Sequence, residues 1–243
     1  MLTQAFFCVL IGFTKFTKLL AIPTTAGSGA EVTANAVIYL GKIKFSVESE
    51  LLKPNYFSII PEFVLNTKKT LKASSGFDAI SQAIESIISK RSTEKSIEFA
   101  LKSLKISLKY YLEYLKNPTI TNSYKMCVAA NYSGEAISIS KTTAPHALSY
   151  PFTAHYGISH GHAVSLTLND FLKFNFENIQ HSNCKFDLKK RYNKIFSVTN
   201  TININELTLF LNKIKLKAGL ENNLSKLGID IKEGLPKILS GVN

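Results

Sequence analysis

The sequence predicts a mainly α-helical protein preceded by a short α/β segment. Three observations carry this. Up to about residue 62 the chain is cut into short apolar or alternating runs by Gly, Ser, Thr and Pro. Beyond that point apolar residues recur at helical spacing over long stretches. The tail from Asn200 to Leu239 alternates helical patches with the stop signals Gly219, Gly228 and Gly234. No internal repeat or low-complexity linker interrupts this order.

Taken in order, "AFFCVLIGF" is apolar but too short to span a bilayer, and it lacks the basic region and cleavage site of a signal peptide. It reads as a buried strand or helix. "KLLAIPTTAGSGAEVT" starts as a buried strand and turns into a hydroxyl- and glycine-rich loop. "NAVIYLGKIKFSVES" alternates around a Gly-Lys turn, as a β-hairpin does, and "YFSIIP" is a further β-like run closed by Pro61. Then "SSGFDAISQAIESIIS" places Phe77, Ile80, Ile84, Ile87 and Ile88 on one helical face, with the serines ahead as caps. "TEKSIEFALKSLKISLKYYLEYL" is a longer amphipathic helix ended by Asn117-Pro118, and "SYKMCVAANYSGEAISIS" is a helix with small residues at its contacts.

Composition narrows the function classes. With 243 residues, 45% hydrophobic and 19% charged, the chain is long enough for a buried core and is not of disordered type. The formal charge of +12 invites a nucleic-acid reading. The lysines, however, are spread along "KKTLKASS", "LKSLKISLKYY" and "NKIKLKAG" as the wet faces of helices, with no recognition motif beside them. Part of this charge suits a phosphorylated small molecule. Cys8, Cys127 and Cys184 are too few and too scattered for a disulfide framework or a zinc knuckle, which points to a reduced, cytoplasmic setting without membrane or nucleic-acid partners.

The histidines are concentrated. Four of the five, His146, His155, His160 and His162, fall in "APHALSYPFTAHYGISHGHA", with His181 apart. His146 and His160 are too distant in sequence for one helical face but suit a helix–loop–helix excursion. Asp78 and Gln82 stand at i and i+4 on one helix face. One carboxylate and two imidazoles suit Fe2+ or Zn2+ with a position left for a substrate oxygen. Against this stands a bland reading in which the imidazoles line a buried turn, and spacing alone does not decide.

"AIPTTAGSGAEVT", "GFDAISQAIES" and "KTTAPHALSYPFTAHYGISHGHAV" together resemble the iron-containing (group III) alcohol dehydrogenases, relatives of glycerol dehydrogenase and dehydroquinate synthase. The likeness runs from about Leu19 to Asn175, and the third motif is most similar to the phosphonoacetaldehyde reductase branch. The resemblance implies a dehydroquinate synthase-like fold: an all-helical metal-binding domain over residues 63–243, after a remnant of a Rossmann-like nucleotide domain over residues 1–62. It implies a divalent metal held by Asp78, Gln82, His146 and His160, where Gln82 replaces the commoner histidine with a neutral, weaker oxygen ligand. A proton-shuttling histidine of many members is matched here by Tyr150, a candidate catalytic residue whose phenol can also relay a proton although core packing is its expected role; His162 is the expected relay or supporting residue. His155 is expected to line the cleft or face solvent, and His181 to have no catalytic role.

For the cofactor, NAD(P)H, the resemblance implies that Thr24, Thr25, Gly27 and Ser28 line the nucleotide cleft, with Lys44 near it. The family's Gly-Gly-Gly-Ser phosphate turn is not found in this sequence, so the chain is expected to be a fragment of a longer protein. The implied function is metal-dependent interconversion of a small alcohol and aldehyde, including phosphonoacetaldehyde. The alternative is an inactive remnant that binds metal or pairs with another subunit, a homo-oligomer included.

Overall fold

The computed structural model describes residues 17–40 and 43–241. "AFFCVLIGF" with Cys8, and the Gly-Lys turn, lie outside the described residues. Strand β1 (Leu20–Ala21) pairs in parallel with β4 (Tyr56–Phe57), Leu20 opposite Tyr56 and Ala21 opposite Phe57. Between them β2 (Asn35–Leu40) and β3 (Ile43–Glu48) form the expected antiparallel hairpin, registered from Asn35 opposite Glu48 to Leu40 opposite Ile43. Short 3₁₀ turns at Ala30–Val32 and Glu50–Leu52 flank it.

The rest of the described chain is helical: α1 (Glu62–Leu65), α2 (Lys69–Ile88), α3 (Glu94–Lys116), α4 (Ile120–Ser140), α5 (Ala144–Tyr156), α6 (His160–Glu177), α7 (Leu188–Thr199), α8 (Ile204–Ala218) and α9 (Ile231–Ser240). No helix among the described residues is long and apolar enough to cross a membrane.

Local chemistry explains the boundaries. Thr93 and Ser96 cap α3 reciprocally, each side chain accepting from the other's backbone N–H, and Thr119 and Asn122 do the same for α4. Asn117-Pro118 separates the two, as the sequence suggests. Helix α2 is the centre of the molecule. Nearly every side chain from Lys72 to Ile88 is buried, because α3, α4, α6 and α7 all pack on it. A helix covered on all sides carries no solvent face.

Two expectations are corrected. Helix α2 begins at Lys69, so Ser74 and Ser75 are not caps but lie within it. The Ser75 hydroxyl donates to the Leu71 carbonyl, and Ser74 Oγ accepts from the His162 backbone N–H. Gly234 does not stop a helix either; it lies inside α9, whereas Gly219 and Gly228 do close their segments, with φ of 78° and 74°.

Candidate metal centre

Three elements converge on one point: the middle of α2, the first turn of α5 and the first residue of α6. Asp78 and His146 are buried, and His160 is half-buried. His146 Nε2 lies 3.3 Å from Asp78 Oδ1, and His160 Nε2 lies 3.9 Å from the same oxygen. The imidazoles meet edge-on, with centroids 5.4 Å apart. The excursion that returns His160 to His146 is the Gly157–Ser159 link, opened by Gly157 at φ 67°.

Close approach of α6 to α2 is what brings His160 in. At Gly161 a Cβ would fall 2.1 Å from the Ser74 carbonyl oxygen and 2.7 Å from Asp78 Cβ. Only the absence of a side chain lets the helices touch there.

The outer nitrogens set the tautomers. His146 Nδ1 contacts the Glu85 carboxylate, which is fully buried and also accepts from the Thr143 backbone N–H at 2.9 Å and the Thr143 hydroxyl at 2.6 Å. Ser149 Oγ donates to the His146 carbonyl at 2.6 Å, so at 3.1 Å from His160 Nδ1 it accepts that ring's N–H. Each imidazole therefore carries its neutral-form proton on Nδ1 and turns Nε2 toward Asp78.

Asp78 Oδ1 and His146 Nε2 are buried without a hydrogen-bond partner, although they face each other. Two such atoms are costly to bury unless a proton or a cation between them binds both. A carboxylate oxygen and two imidazole nitrogens, all within 4.8 Å of one another, are a donor set that fits a divalent cation. Without a cation, burial pushes the His146 pKa down, but the Glu85 and Asp78 carboxylates outweigh it and raise it to about 10. Burial likewise pushes the Asp78 carboxyl up, and the positive charge of His160, with the His146 contact, holds it below its ordinary value.

The remaining expected site residues divide. Gln82 is buried one turn from Asp78; its amide nitrogen donates to Asp78 Oδ2 at 3.3 Å and its oxygen accepts from Ser133 Oγ at 2.9 Å. In this rotamer the amide props the carboxylate; a half-turn exchanges its ends and presents the oxygen to the cluster. Tyr150 is not packed into the core as expected. It stacks on His160, with centroids 5.4 Å apart, and lines a cavity of about 330 Å³ together with Gln82, His146 and His160. The relay expectation for His162 is corrected: two residues along a helix turn its ring to the other side, where Nε2 meets the Glu221 carbonyl at 2.7 Å. His155 is half-buried against Tyr156, and exposed His181 lies at a separate cavity beside Arg91 and Cys184.

Sequence reasoning missed Glu85. The signal was there, since it stands seven residues after Asp78 on the same face of a helix with no wet side.

Thr24, Thr25 and Ser28 line a second cavity, of about 450 Å³, and Ser28, Thr33 and Asn35 border both. Gly27 also has a packing role. It is buried, and a Cβ there would fall 2.7 Å from Ser75 Cβ, so it seats the loop on α2. Lys44 is placed in β3 opposite Tyr39; its side chain lies outside the described residues.

The geometry agrees with three comparisons. The profile of the Fe-containing alcohol dehydrogenase family, C-terminal, matches residues 72–240. The chain is 31% identical over 162 residues to the phosphonoacetaldehyde reductase of Streptomyces viridochromogenes, covering 65% of this chain and 41% of that protein. It is 26% identical to the 4-hydroxybutyrate dehydrogenase of Clostridium kluyveri, covering 93% of this chain and 63% of the other. Among solved structures, an archaeal halo-thermophilic alcohol dehydrogenase from a Red Sea brine pool shares the fold with a TM-score of 0.83 at 24% identity, over 92% of this chain and 57% of that one. The sulfoacetaldehyde reductase of Bifidobacterium kashiwanohense, solved with NAD+, superposes with a TM-score of 0.78 at 27% identity, over 91% of this chain and 58% of that one. The chain thus spans less than two thirds of the length of each of these relatives. Since the profile runs through α2, α5 and α6, the elements that carry Asp78, His146 and His160, and covers well over half the sequence, this chain belongs to the iron-containing alcohol dehydrogenase family.

Proposed function

We propose that the chain carries the metal-binding part of an oxidoreductase that interconverts a small aldehyde and its alcohol with NAD(P)H. Residues 63–243 form its helical metal domain, and residues 1–62 contribute one wall of the nucleotide cleft. The observation that carries this reading is the pair of bare buried atoms, Asp78 Oδ1 and His146 Nε2, with His160 Nε2 beside them. Asp78, His146 and His160 would hold Fe2+ or Zn2+, with Gln82 as a further ligand once its amide is turned. When bound, the cation supplies Lewis acidity toward a carbonyl oxygen, and the nicotinamide supplies or takes up hydride.

The chain's own side chains do the positioning. Glu85 and Ser149 fix the two rings with Nε2 inward. Tyr150, stacked on His160 and facing the cavity, excludes water on one side and offers a phenol to a substrate oxygen. Thr24, Thr25 and Ser28 offer hydroxyls to the cofactor, and the family resemblance is what assigns Lys44 to its vicinity. As for substrate, three of the relatives are named for short compounds with an anionic end: phosphonoacetaldehyde, sulfoacetaldehyde and 4-hydroxybutyrate. That supports an anionic aldehyde such as phosphonoacetaldehyde.

The test is metal retention. After loading with Zn2+ and dialysis, elemental analysis of the wild type should give one equivalent, and His146→Ala and His160→Ala should give almost none. Retention unchanged in both variants would remove the reading. Gln82→His should tighten binding, whereas an unchanged dissociation constant limits Gln82 to propping Asp78.

The exposed apolar side chains of the parallel pair, Leu20, Tyr56 and Phe57, favour a second reading for the strand segment. Parallel strands are ordinarily covered on both faces. In this reading the segment pairs with further polypeptide, a second copy included, without turnover. A metal-loaded dimer in sedimentation that oxidises no NAD(P)H with any short aldehyde would select it.

A further inference from the structure

The residue that closes α4 has an unusual backbone. Lys141 adopts φ 60° and ψ 170°, a region that glycine occupies and residues with a Cβ avoid. Its surroundings enforce this. The Lys141 N–H donates to the Ile137 carbonyl at 2.9 Å, and its own carbonyl accepts from Ser140 Oγ at 3.0 Å. Two residues on, the Thr143 N–H and hydroxyl are both anchored on buried Glu85. A glycine would satisfy the same backbone without strain, so a lysine here is explained by its side chain.

That side chain lines the metal cavity. It borders the same space of about 330 Å³ as His146, His160 and Tyr150, and among the described residues lining it Lys141 is the only lysine or arginine. The side chain is half-buried, and its ammonium meets the Glu48 carboxylate at the end of β3. Glu48 and Glu50 border the cavity from the strand side, so its acidic groups are also in view. An ammonium has three donors, and the carboxylate across from it occupies the place an incoming anion would take.

We propose that Lys141 is a specificity residue that binds the anionic end of a short aldehyde or alcohol, with Glu48 as its internal competitor. The volume of the cavity suits a substrate of a few heavy atoms whose oxygen reaches the histidines while its phosphonate, sulfonate or carboxylate meets Lys141. This rests on the reading of the cavity as an aldehyde site, and it names the side chain that would choose charged substrates over neutral ones.

The experiment titrates 2-hydroxyethylphosphonate, an alcohol with an anionic end, into the zinc-loaded full chain, with 31P NMR or calorimetry as the readout. Lys141→Met should raise the dissociation constant at least tenfold, and Glu48→Gln should lower it severalfold, with zinc content unchanged in both. Lys141→Gly relieves the backbone and should raise the thermal midpoint while losing the phosphonate as Lys141→Met does, which separates binding from folding. Dissociation constants within twofold of wild type in Lys141→Met and Lys141→Gly, or no binding by the zinc-loaded wild type, would overturn the proposal. Failure to retain zinc would instead count against the metal reading alone, because the ratio between wild type and Lys141→Met is expected in zinc-free protein as well.

Discussion

Gly161 and Asp78 are in direct apposition: a Cβ on the glycine would lie 2.7 Å from the aspartate Cβ, closer than real side chains come. The neighbouring Ser74 carbonyl, 2.1 Å from the same point, is rigid helix backbone and cannot yield. Gly161→Ala must therefore push the start of α6 away from α2, and His160 moves with it. The expected result is a folded protein with apparent zinc affinity reduced by about 100-fold, since a ligand misplaced by about an ångström no longer completes its site. Competition with a chelator of known affinity measures it, and wild-type affinity in Gly161→Ala would show that α6 is not held where the structure has it.

Glu85 supports the site from outside. It is fully buried and shared by His146 Nδ1 and two Thr143 donors, so removing its charge leaves those donors half-satisfied. Glu85→Gln should weaken zinc binding by about 10- to 100-fold, the usual effect of losing a carboxylate behind a metal-bound imidazole. A purely structural role would lower the melting temperature and leave the affinity per folded molecule unchanged, and comparing the two measurements tells them apart.

What could be read from the sequence, and what could not, follows from the range of the forces involved. The helix bearing Asp78 and Gln82, and the turn that returns His160 to His146, rest on local spacing and on Gly157, and all of these are legible in the letters. Glu85 was not, because a glutamate within an apolar run looks solvated until the surrounding helices are known to cover every face of α2. Ser74 resembles a cap for the same reason; its hydroxyl serves the His162 N–H, which comes from 88 residues away. His162 itself was misjudged because adjacency in "HGH" suggests a shared task, while the helix turns the two rings apart. Gly234 reads as a stop, yet it is where the Tyr156 hydroxyl approaches α9.

Proton competition should govern metal uptake. In the metal-free protein the Glu85 and Asp78 carboxylates overcome burial and raise the His146 pKa to about 10, so near neutrality a cation must displace a proton from Nε2. Apparent zinc affinity should then climb about tenfold per pH unit from neutrality and level off as pH passes through about 10. In Glu85→Gln, the loss of the charge that most raises this pKa should shift the plateau to lower pH. A pH-independent affinity in the wild type would mean that His146 carries no such proton.

Lys215 makes a separate, thermodynamic prediction. Its side chain is buried in α8, and its ammonium donates to the Ser165 carbonyl at 2.9 Å across the contact with α6. Burial lowers its pKa from 10.5 to about 8, against a small opposing pull from Asp170. Between these values the unfolded chain holds a proton that the folded chain has released, so the unfolded state binds more protons there. Stability from this group therefore rises with pH across that window, is flat above it, and is lowest below about 8, where folding buries the charge. The gain amounts to about 3 kcal/mol. Lys215→Met should abolish the alkaline gain and raise stability at neutral pH by about 1–2 kcal/mol, because the Ser165 carbonyl keeps its helical partner while a buried charge disappears. Denaturant midpoints of both proteins on either side of the window measure this, and parallel pH profiles would show that Lys215 stays protonated inside the fold.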